Sequence, residues 1–176
     1  DIAPRTIARG IETARLPGRG ELLRDVGEVP VVLDGAHTPH SVARLRETFT
    51  ELFGEGGVLV FGSVLGKYHE TMAEILAPAF DRVIVARPGT FKESDPQAVA
   101  AAFAARGAEV TLQPDAAAAL ELALSHGRSS GGRSNRPGGT GTTTKPVLVT
   151  GSFYLLGEVR RAIRGRTPGA SPIVDT

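Results

Sequence analysis

The sequence contains no cysteine and no tryptophan, and its 176 residues include a single methionine, Met72. Without cysteine, disulfide bonds, thiolate metal sites, iron–sulfur clusters and cysteine nucleophiles are all excluded. Any zinc site would need histidine and carboxylate ligands. This composition fits a reducing compartment, and we expect a cytoplasmic protein.

The sequence also lacks an excess of charge and a long apolar run. Its 20 Lys and Arg residues balance 19 Asp and Glu residues, for a net charge of +1. No apolar run approaches the roughly 20 residues of a membrane helix, and the start of the chain has no basic-then-apolar signal region. We therefore expect a monomer with neither nucleic acid nor a membrane as partner.

Short β-branched runs alternate with longer Ala- and Leu-rich amphipathic runs, which is the pattern of strand, crossover helix and strand. The strand runs are continuously apolar, as in a parallel sheet covered by helices on both faces. The pattern predicts a Rossmann-like, three-layer α/β domain with a mainly parallel sheet. Predicted strands cover residues 29–33, 57–62, 82–86, 109–112 and 146–150, and predicted helices cover 41–53, 69–76, 95–106, 115–125 and 153–164.

The chain divides into three parts. Residues 1–28 are a leading segment, residues 29–166 form the α/β domain, and residues 167–176 form a frayed tail. Inside the domain, residues 127–145 are rich in glycine and basic residues and contain no large apolar side chain. Such a segment cannot bury enough surface to offset its ordering entropy, and we predict a disordered loop.

The leading segment contains a turn-forming cluster, PGRG, at residues 17–20. Residues 11–16 and 21–26 flank this cluster, which predicts a β-hairpin or an edge loop. A hairpin at this place would add an antiparallel edge strand to the sheet.

Polar residues follow the predicted strand at 29–33, where ligands bind in open parallel sheets. Asp34 and His37 lie there in a glycine-containing turn. The carboxylate could bind a nucleotide or a metal while the imidazole contacts phosphate or substrate. Alternatively, Asp34 and Ser41 only satisfy the amides of the turn and of the helix start.

Two further residues are candidates for anion binding. Ser152 follows the last strand at a helix start, where its hydroxyl and the helix amides could hold a carboxylate or phosphate, or where it could be a cap and no more. Arg19, in the PGRG turn, could clamp phosphates bidentately. We interpret Lys67, after the second predicted strand, as a solvated lysine. The chain contains no Gly-x-x-x-x-Gly-Lys-Ser/Thr phosphate loop.

Four segments in this order resemble the C-terminal domain of the folylpolyglutamate synthase/dihydrofolate synthase family, in the Mur ligase superfamily. The segments are LPGR at 16–19, VVLDGAHTPHS at 31–41, VLVFGSVLGK at 58–67 and VLVTGSFYLLGEVRRAI at 147–163. The likeness depends on LDGAH together with TGS-x-YL-x-GEV. The sequence departs from the family at Thr38, where bacterial members usually have Asn, and at LGKYHE, which replaces a more acidic segment.

The resemblance implies an ATP-dependent ligase that activates a carboxylate as an acyl phosphate, which the amino group of glutamate then attacks. It implies that Arg19 and Asp34 contact ATP and that His37 and Ser152 line the glutamate side of the cleft. In this family the phosphate loop, most Mg²⁺ ligands and much of the pterin site belong to the preceding domain. We therefore expect no metal site and no assignable catalytic residue in this chain.

Because the chain lacks the phosphate loop and begins without Met, we expect a C-terminal domain that is inactive alone. Its partners would be the preceding P-loop domain of the same polypeptide, ATP, L-glutamate, and dihydropteroate or a reduced folate. Two alternatives remain: the C-terminal domain of a peptidoglycan-precursor Mur ligase, and a non-catalytic binding domain of the same fold. This segment does not distinguish dihydrofolate synthase from folylpolyglutamate synthase.

Overall fold

A computed structural model describes residues 16–129 and 144–166, together with residues 3, 5, 6 and 9. The predicted tail at 167–176, residues 11–15 of the leading segment and most of the predicted loop at 127–145 lie outside the described residues. These three predictions therefore stay predictions.

The described residues form one six-stranded sheet with the strand order β1-β2-β6-β3-β4-β5. The β1–β2 pair is antiparallel and every other pair is parallel, so the predicted α/β class with an antiparallel edge is confirmed. All five predicted strands are present. The strands are β1 Glu21–Val26, β2 Val29–Leu33, β3 Val58–Phe61, β4 Arg82–Val85, β5 Val110–Leu112 and β6 Val147–Thr150.

The antiparallel edge is a hairpin between β1 and β2, joined by Gly27 and Glu28. Both residues have positive φ, 63° and 66°, as two-residue hairpin turns of type I′ require. The sequence analysis predicted a β-hairpin or an edge loop around residues 17–20; residues 11–15 of its first arm lie outside the described residues, and the strand at 21–26 pairs with β2. The PGRG cluster instead forms a turn just before β1, and Arg19 N–H donates to Leu16 O at 3.1 Å.

Five helices of the described residues cover the sheet, and only the helix at His69–Leu76 has both predicted bounds. The first begins at Pro39, before the predicted Ser41, because Thr38 is the N-cap and Ser41 completes a capping box with it. The fourth continues to Ser129, so the first residues of the predicted 127–145 loop are helical. The helices are α1 Pro39–Phe53, α2 His69–Leu76, α3 Pro96–Ala104, α4 Ala116–Ser129 and α5 Phe153–Arg166, with a 3₁₀ turn at Ala77–Ala79.

The core has two apolar layers, one on each face of the sheet, as continuously apolar strands require. Helices α1, α2 and α3 cover one face, where Leu59, Phe61 and Phe103 are fully buried. Helices α4 and α5 cover the other face around Val60, Leu120 and Leu155. The rigid sheet therefore positions the loops at its carboxyl edge.

Candidate functional site

The strand order brings three loops together at the carboxyl edge of the sheet. Because β6 lies between β2 and β3, the segments that follow these three strands are neighbours. Gly151 N–H donates to Ala36 O at 2.9 Å, and Gly62 N–H donates to Thr150 O at 3.3 Å. The loops that contain Asp34, His37 and Ser152 are thus connected by backbone hydrogen bonds.

The junction between β6 and α5 depends on Gly151. Its φ is +101°, and a Cβ at this position would lie 2.6 Å from Gly62 O. A side chain there would force the two loops apart. Glycine therefore permits the close approach that places Ser152 beside the loop after β3.

The Asp34 carboxylate connects the loop after β2 to the PGRG turn. Its Oδ2 accepts from Gly20 N–H at 2.7 Å and its Oδ1 accepts from Ala36 N–H at 2.8 Å. Gly35 N–H also donates to Gly18 O at 2.8 Å. Asp34 therefore accepts hydrogen bonds from turn amides, which was one of the two interpretations of its sequence position. These bonds place the turn that contains Arg19 beside Asp34.

The guanidinium of Arg19 is exposed and lies over the ring of Phe153, with Cζ 4.7 Å from the ring centroid. Within residues 16–129 and 144–166, no acceptor for its N–H groups is found. A planar group with five donors and no protein acceptor suits a phosphate or carboxylate ligand.

His37 and Ser152 line the same small cleft, of about 160 Å³. His37 Nδ1 lies 2.8 Å from Gly35 O. Since a carbonyl only accepts, Nδ1 carries the proton, and Nε2 remains for a ligand. The buried Ser152 accepts from Tyr154 N–H at 3.2 Å and caps α5. The capping role is therefore present, and the hydroxyl proton is left for another acceptor.

Lys67 lies in this cleft too, although the sequence analysis set it aside as solvated. It follows β3, and the insertion of β6 beside β3 brings it to the loop that holds Ser152. An ammonium, an imidazole and a hydroxyl thus line one cavity. Lys67 lies in the motif segment at 58–67, which was a reason to consider it. Chain order alone, however, does not predict that β6 is the neighbour of β3.

A larger open cleft of about 790 Å³ lies further along the same edge, between the β4–α3 loop, the start of α4 and α5. It contains side chains of both signs: Arg87 and Arg161, with Asp115 and Glu158. None of the predicted site residues lines it. It is therefore separate from the cleft of His37 and Ser152.

The described residues bring no group of three or more histidine and carboxylate side chains into position for a metal ion. No helix among them has the length and apolar character needed to cross a membrane.

The family model for the Mur ligase glutamate ligase domain matches residues 18–135. This match covers more than half of the chain. The chain belongs to the Mur ligase glutamate ligase domain family. The fold is that of this family; the loops after β2 and β3 lie within the matched residues, and the loop after β6 lies beyond them.

Relatives of this family member are folate ligases by name. The chain is 34% identical over 158 residues to a Halobacterium salinarum protein named probable bifunctional folylpolyglutamate synthase/dihydropteroate synthase, covering 88% of this chain and 17% of that protein. It is 27% identical over 166 residues to the folylpolyglutamate synthase of Lacticaseibacillus casei, covering 93% of the chain and 33% of the relative. The chain thus spans a third or less of the length of these relatives.

A solved structure shares the fold. The Mycobacterium tuberculosis folylpolyglutamate synthase, solved in complexes with ADP and AMPPCP, superposes with a TM-score of 0.75 at 26% identity. The match covers 96% of this chain and 37% of that one. The described architecture therefore corresponds to about a third of a nucleotide-binding synthase.

Proposed function

We propose that this chain is the ATP- and glutamate-contacting domain of a cytoplasmic, ATP-dependent folate ligase of the folylpolyglutamate synthase/dihydrofolate synthase type. The observation that carries this proposal is the grouping of side chains at one sheet edge. Arg19 lies over the ring of Phe153 with Asp34 bonded to its turn, and His37, Ser152 and Lys67 line the small cleft to which Phe153 also belongs. The names of the relatives favour the folate branch over a peptidoglycan-precursor ligase.

In the proposed reaction, a carboxylate oxygen of the folate acceptor attacks the γ-phosphorus of ATP, and ADP leaves. The amino nitrogen of L-glutamate then attacks the acyl carbon, phosphate leaves with the bonding electrons, and the nitrogen loses a proton. ATP supplies the activated leaving group. The domain supplies binding and orientation, which are the main means of catalysis in phosphoryl and acyl transfer.

Each side chain has a role that fits its surroundings. The Arg19 guanidinium holds phosphate oxygens, since it is exposed and no acceptor among the described residues occupies it. Asp34, both of whose oxygens accept backbone N–H groups, keeps lone pairs for ribose hydroxyls.

In the small cleft, Lys67 and Ser152 bind a glutamate carboxylate, and His37 contacts the amino acid or the acyl group. We place the phosphate loop and most Mg²⁺ ligands in a preceding domain, which completes the site on closure.

The test compares this chain with a two-domain protein, meaning the same chain preceded by a phosphate-loop domain in one reading frame. The assay couples ATP hydrolysis to glutamate addition, with dihydropteroate or a reduced folate as acceptor. We expect activity only in the two-domain protein. Asp34→Ala should reduce it severely, whereas Asp81→Ala, directly before β4 at the opposite edge of the sheet, should leave it nearly unchanged. A two-domain protein inert with every folate acceptor would favour another ligase branch or a binding domain.

A further inference from the structure

Phe153 is the first residue of α5 and lies between the two groups of site residues. Arg19 Cζ is 4.7 Å from its ring centroid, and the His37 ring centroid is 6.1 Å away at an interplanar angle of 65°. One side chain therefore contacts a residue proposed for ATP and a residue proposed for the glutamate side.

The absence of a side chain at Gly35 leaves room for the Phe153 ring. A Cβ on Gly35 would overlap the tip of the Phe153 ring, and a Cβ on Gly18 would lie 3.7 Å from the ring and 2.8 Å from Leu156. Gly18 belongs to the PGRG turn and Gly35 to the loop after β2. Gly35 thus leaves the space that the ring fills, whereas the close approach at Gly18 is to Leu156, and the Phe153 side chain is still 42% exposed.

These contacts restrict the two functional side chains. An exposed arginine has many rotamers, and a ring face beneath the guanidinium favours those that keep the charge at the cleft. The edge contact with His37 limits the orientation of the imidazole, whose Nδ1 is already held by Gly35 O. A ligand then binds at a smaller cost in side-chain entropy.

We propose that Phe153 is a positioning residue that holds Arg19 for the nucleotide and His37 for the incoming amino acid. The proposal rests on the function proposed above. Arg19 and His37 are the residues that touch ligand, and Phe153 acts through them.

The experiment is steady-state kinetics of the two-domain protein with Phe153→Leu, which keeps an apolar side chain and removes the ring. We expect KM for ATP and KM for glutamate to rise about two- to five-fold each, the range of an exposed cation–π contact, with kcat within about two-fold of the parent. The matched control is Phe53→Leu, a half-buried phenylalanine of α1 whose ring packs on Phe49, far from the site. It should lower Tm as much as Phe153→Leu and leave both KM values unchanged.

Double variants show whether Phe153 acts through its neighbours. Combined with Arg19→Gln, Phe153→Leu should raise KM for ATP no further, and combined with His37→Ala it should raise KM for glutamate no further. Additive effects, or KM values for Phe153→Leu equal to those of Phe53→Leu, would overturn the inference alone, because the parent remains an active ligase. A parent protein without ligase activity would overturn the proposed function and this inference together.

Discussion

Asp34 accepts a hydrogen bond from the backbone N–H of Gly20 at 2.7 Å, across 14 residues of chain. The same carboxylate accepts from Ala36 N–H through its other oxygen. Asp34, which is proposed to contact ATP, therefore also connects the turn that contains Arg19 to the loop after β2.

Replacing this carboxylate should weaken the fold even without ligand. In Asp34→Asn, one amide oxygen can still accept, but the NH₂ group faces a backbone N–H. We expect the free energy of unfolding to fall by about 1–3 kcal/mol, the cost of leaving a buried or half-buried donor unpaired, as measured by urea denaturation. The control is Asp115→Asn, since Asp115 caps α4 through Ala118 N–H and Asn caps helices equally well. Equal losses in both variants would contradict the bracing role.

Gly35 should not tolerate a methyl group. A Cβ there would overlap the Phe153 ring, and overpacking of this kind typically costs about 1–3 kcal/mol. Gly157→Ala is the matched change: its Cβ would meet nothing within 4 Å on α5, and alanine in a helix should add about 0.5–1 kcal/mol. Thermal and urea unfolding of both variants measure the difference.

Relief of the clash provides a second check on Gly35. The double variant Gly35→Ala with Phe153→Leu should recover part of the lost stability, because the shorter side chain leaves room for the methyl group. A Gly35→Ala protein as stable as the parent would show that the ring moves aside at little cost.

Sequence patterns predicted the layers of this fold well because the buried parallel strands are continuously apolar. All five predicted strands are present, and the residues singled out after them lie at one edge. The ends of helices and the positions of turns, which depend on local hydrogen bonds, were predicted less accurately. A capping box moved the start of α1 to Pro39, and the hairpin turn is Gly27–Glu28, a pair without the Asn-Gly signature of type I′ turns.

The order of strands in the sheet could not be read from the chain. A βα alternation alone does not say that β6 inserts between β2 and β3. This insertion places Lys67 with Ser152, so the lysine was set aside although its motif had been noticed. Contacts between residues far apart in the chain, such as Arg19 over Phe153, could likewise not be predicted from local sequence patterns.

Glu28 is a site where stability can be gained. It is the only non-glycine residue with positive φ among the described residues, and a Cβ in the left-handed region costs roughly 1–2 kcal/mol. We expect Glu28→Gly to raise Tm slightly and Glu28→Val to lower it, because a β-branched side chain tolerates this region poorly. Differential scanning calorimetry of the two variants tests the turn, and a more stable Glu28→Val protein would contradict it.

Asp81 should make stability depend on acidic pH. Burial alone would raise the pKa of Asp81, but hydrogen bonds from Lys145 Nζ at 2.6 Å and Gly57 N–H at 2.8 Å, with the lysine charge, hold this pKa below its ordinary value. A lowered folded-state pKa stabilises the fold above the unfolded pKa, near pH 4, and this contribution disappears as pH falls through the folded value.

The variant Asp81→Asn isolates this contribution. Because both side chains of the pair are partly exposed, we expect a loss of only about 1 kcal/mol at pH 7. The difference from the parent should shrink as the pH falls below about 4, where Asp81 of the unfolded chain is protonated, and it should disappear once the folded carboxylate is protonated at its lower pKa. Lys145→Met should reproduce most of the loss at pH 7. Urea denaturation between pH 3 and pH 7 measures both variants, and a difference that persists unchanged at pH 3 would contradict the ionic origin.

Substitution of Lys67 tests whether this side chain contacts a ligand or only solvent. It shares the small cleft with His37 and Ser152, and a lysine that pairs with a substrate carboxylate contributes more than a neutral hydrogen bond. In the two-domain protein, Lys67→Gln should raise KM for glutamate about 10- to 100-fold, as loss of a charged hydrogen bond predicts. KM for ATP should change little, because Arg19 and Asp34 do not line this cleft.

Lys145→Gln is the matched control for Lys67→Gln. Lys145 pairs with Asp81 at the opposite end of the sheet, so its loss should lower Tm and leave KM for glutamate unchanged. If both lysine variants left the glutamate KM at the parent value, Lys67 would be a solvated lysine after all, and Ser152 with His37 would have to hold the carboxylate alone. If Lys67→Gln raised KM for ATP and KM for glutamate together, Lys67 would act in domain closure and not in recognition of glutamate. Closure assembles the two binding sites at once, so its loss would affect both ligands.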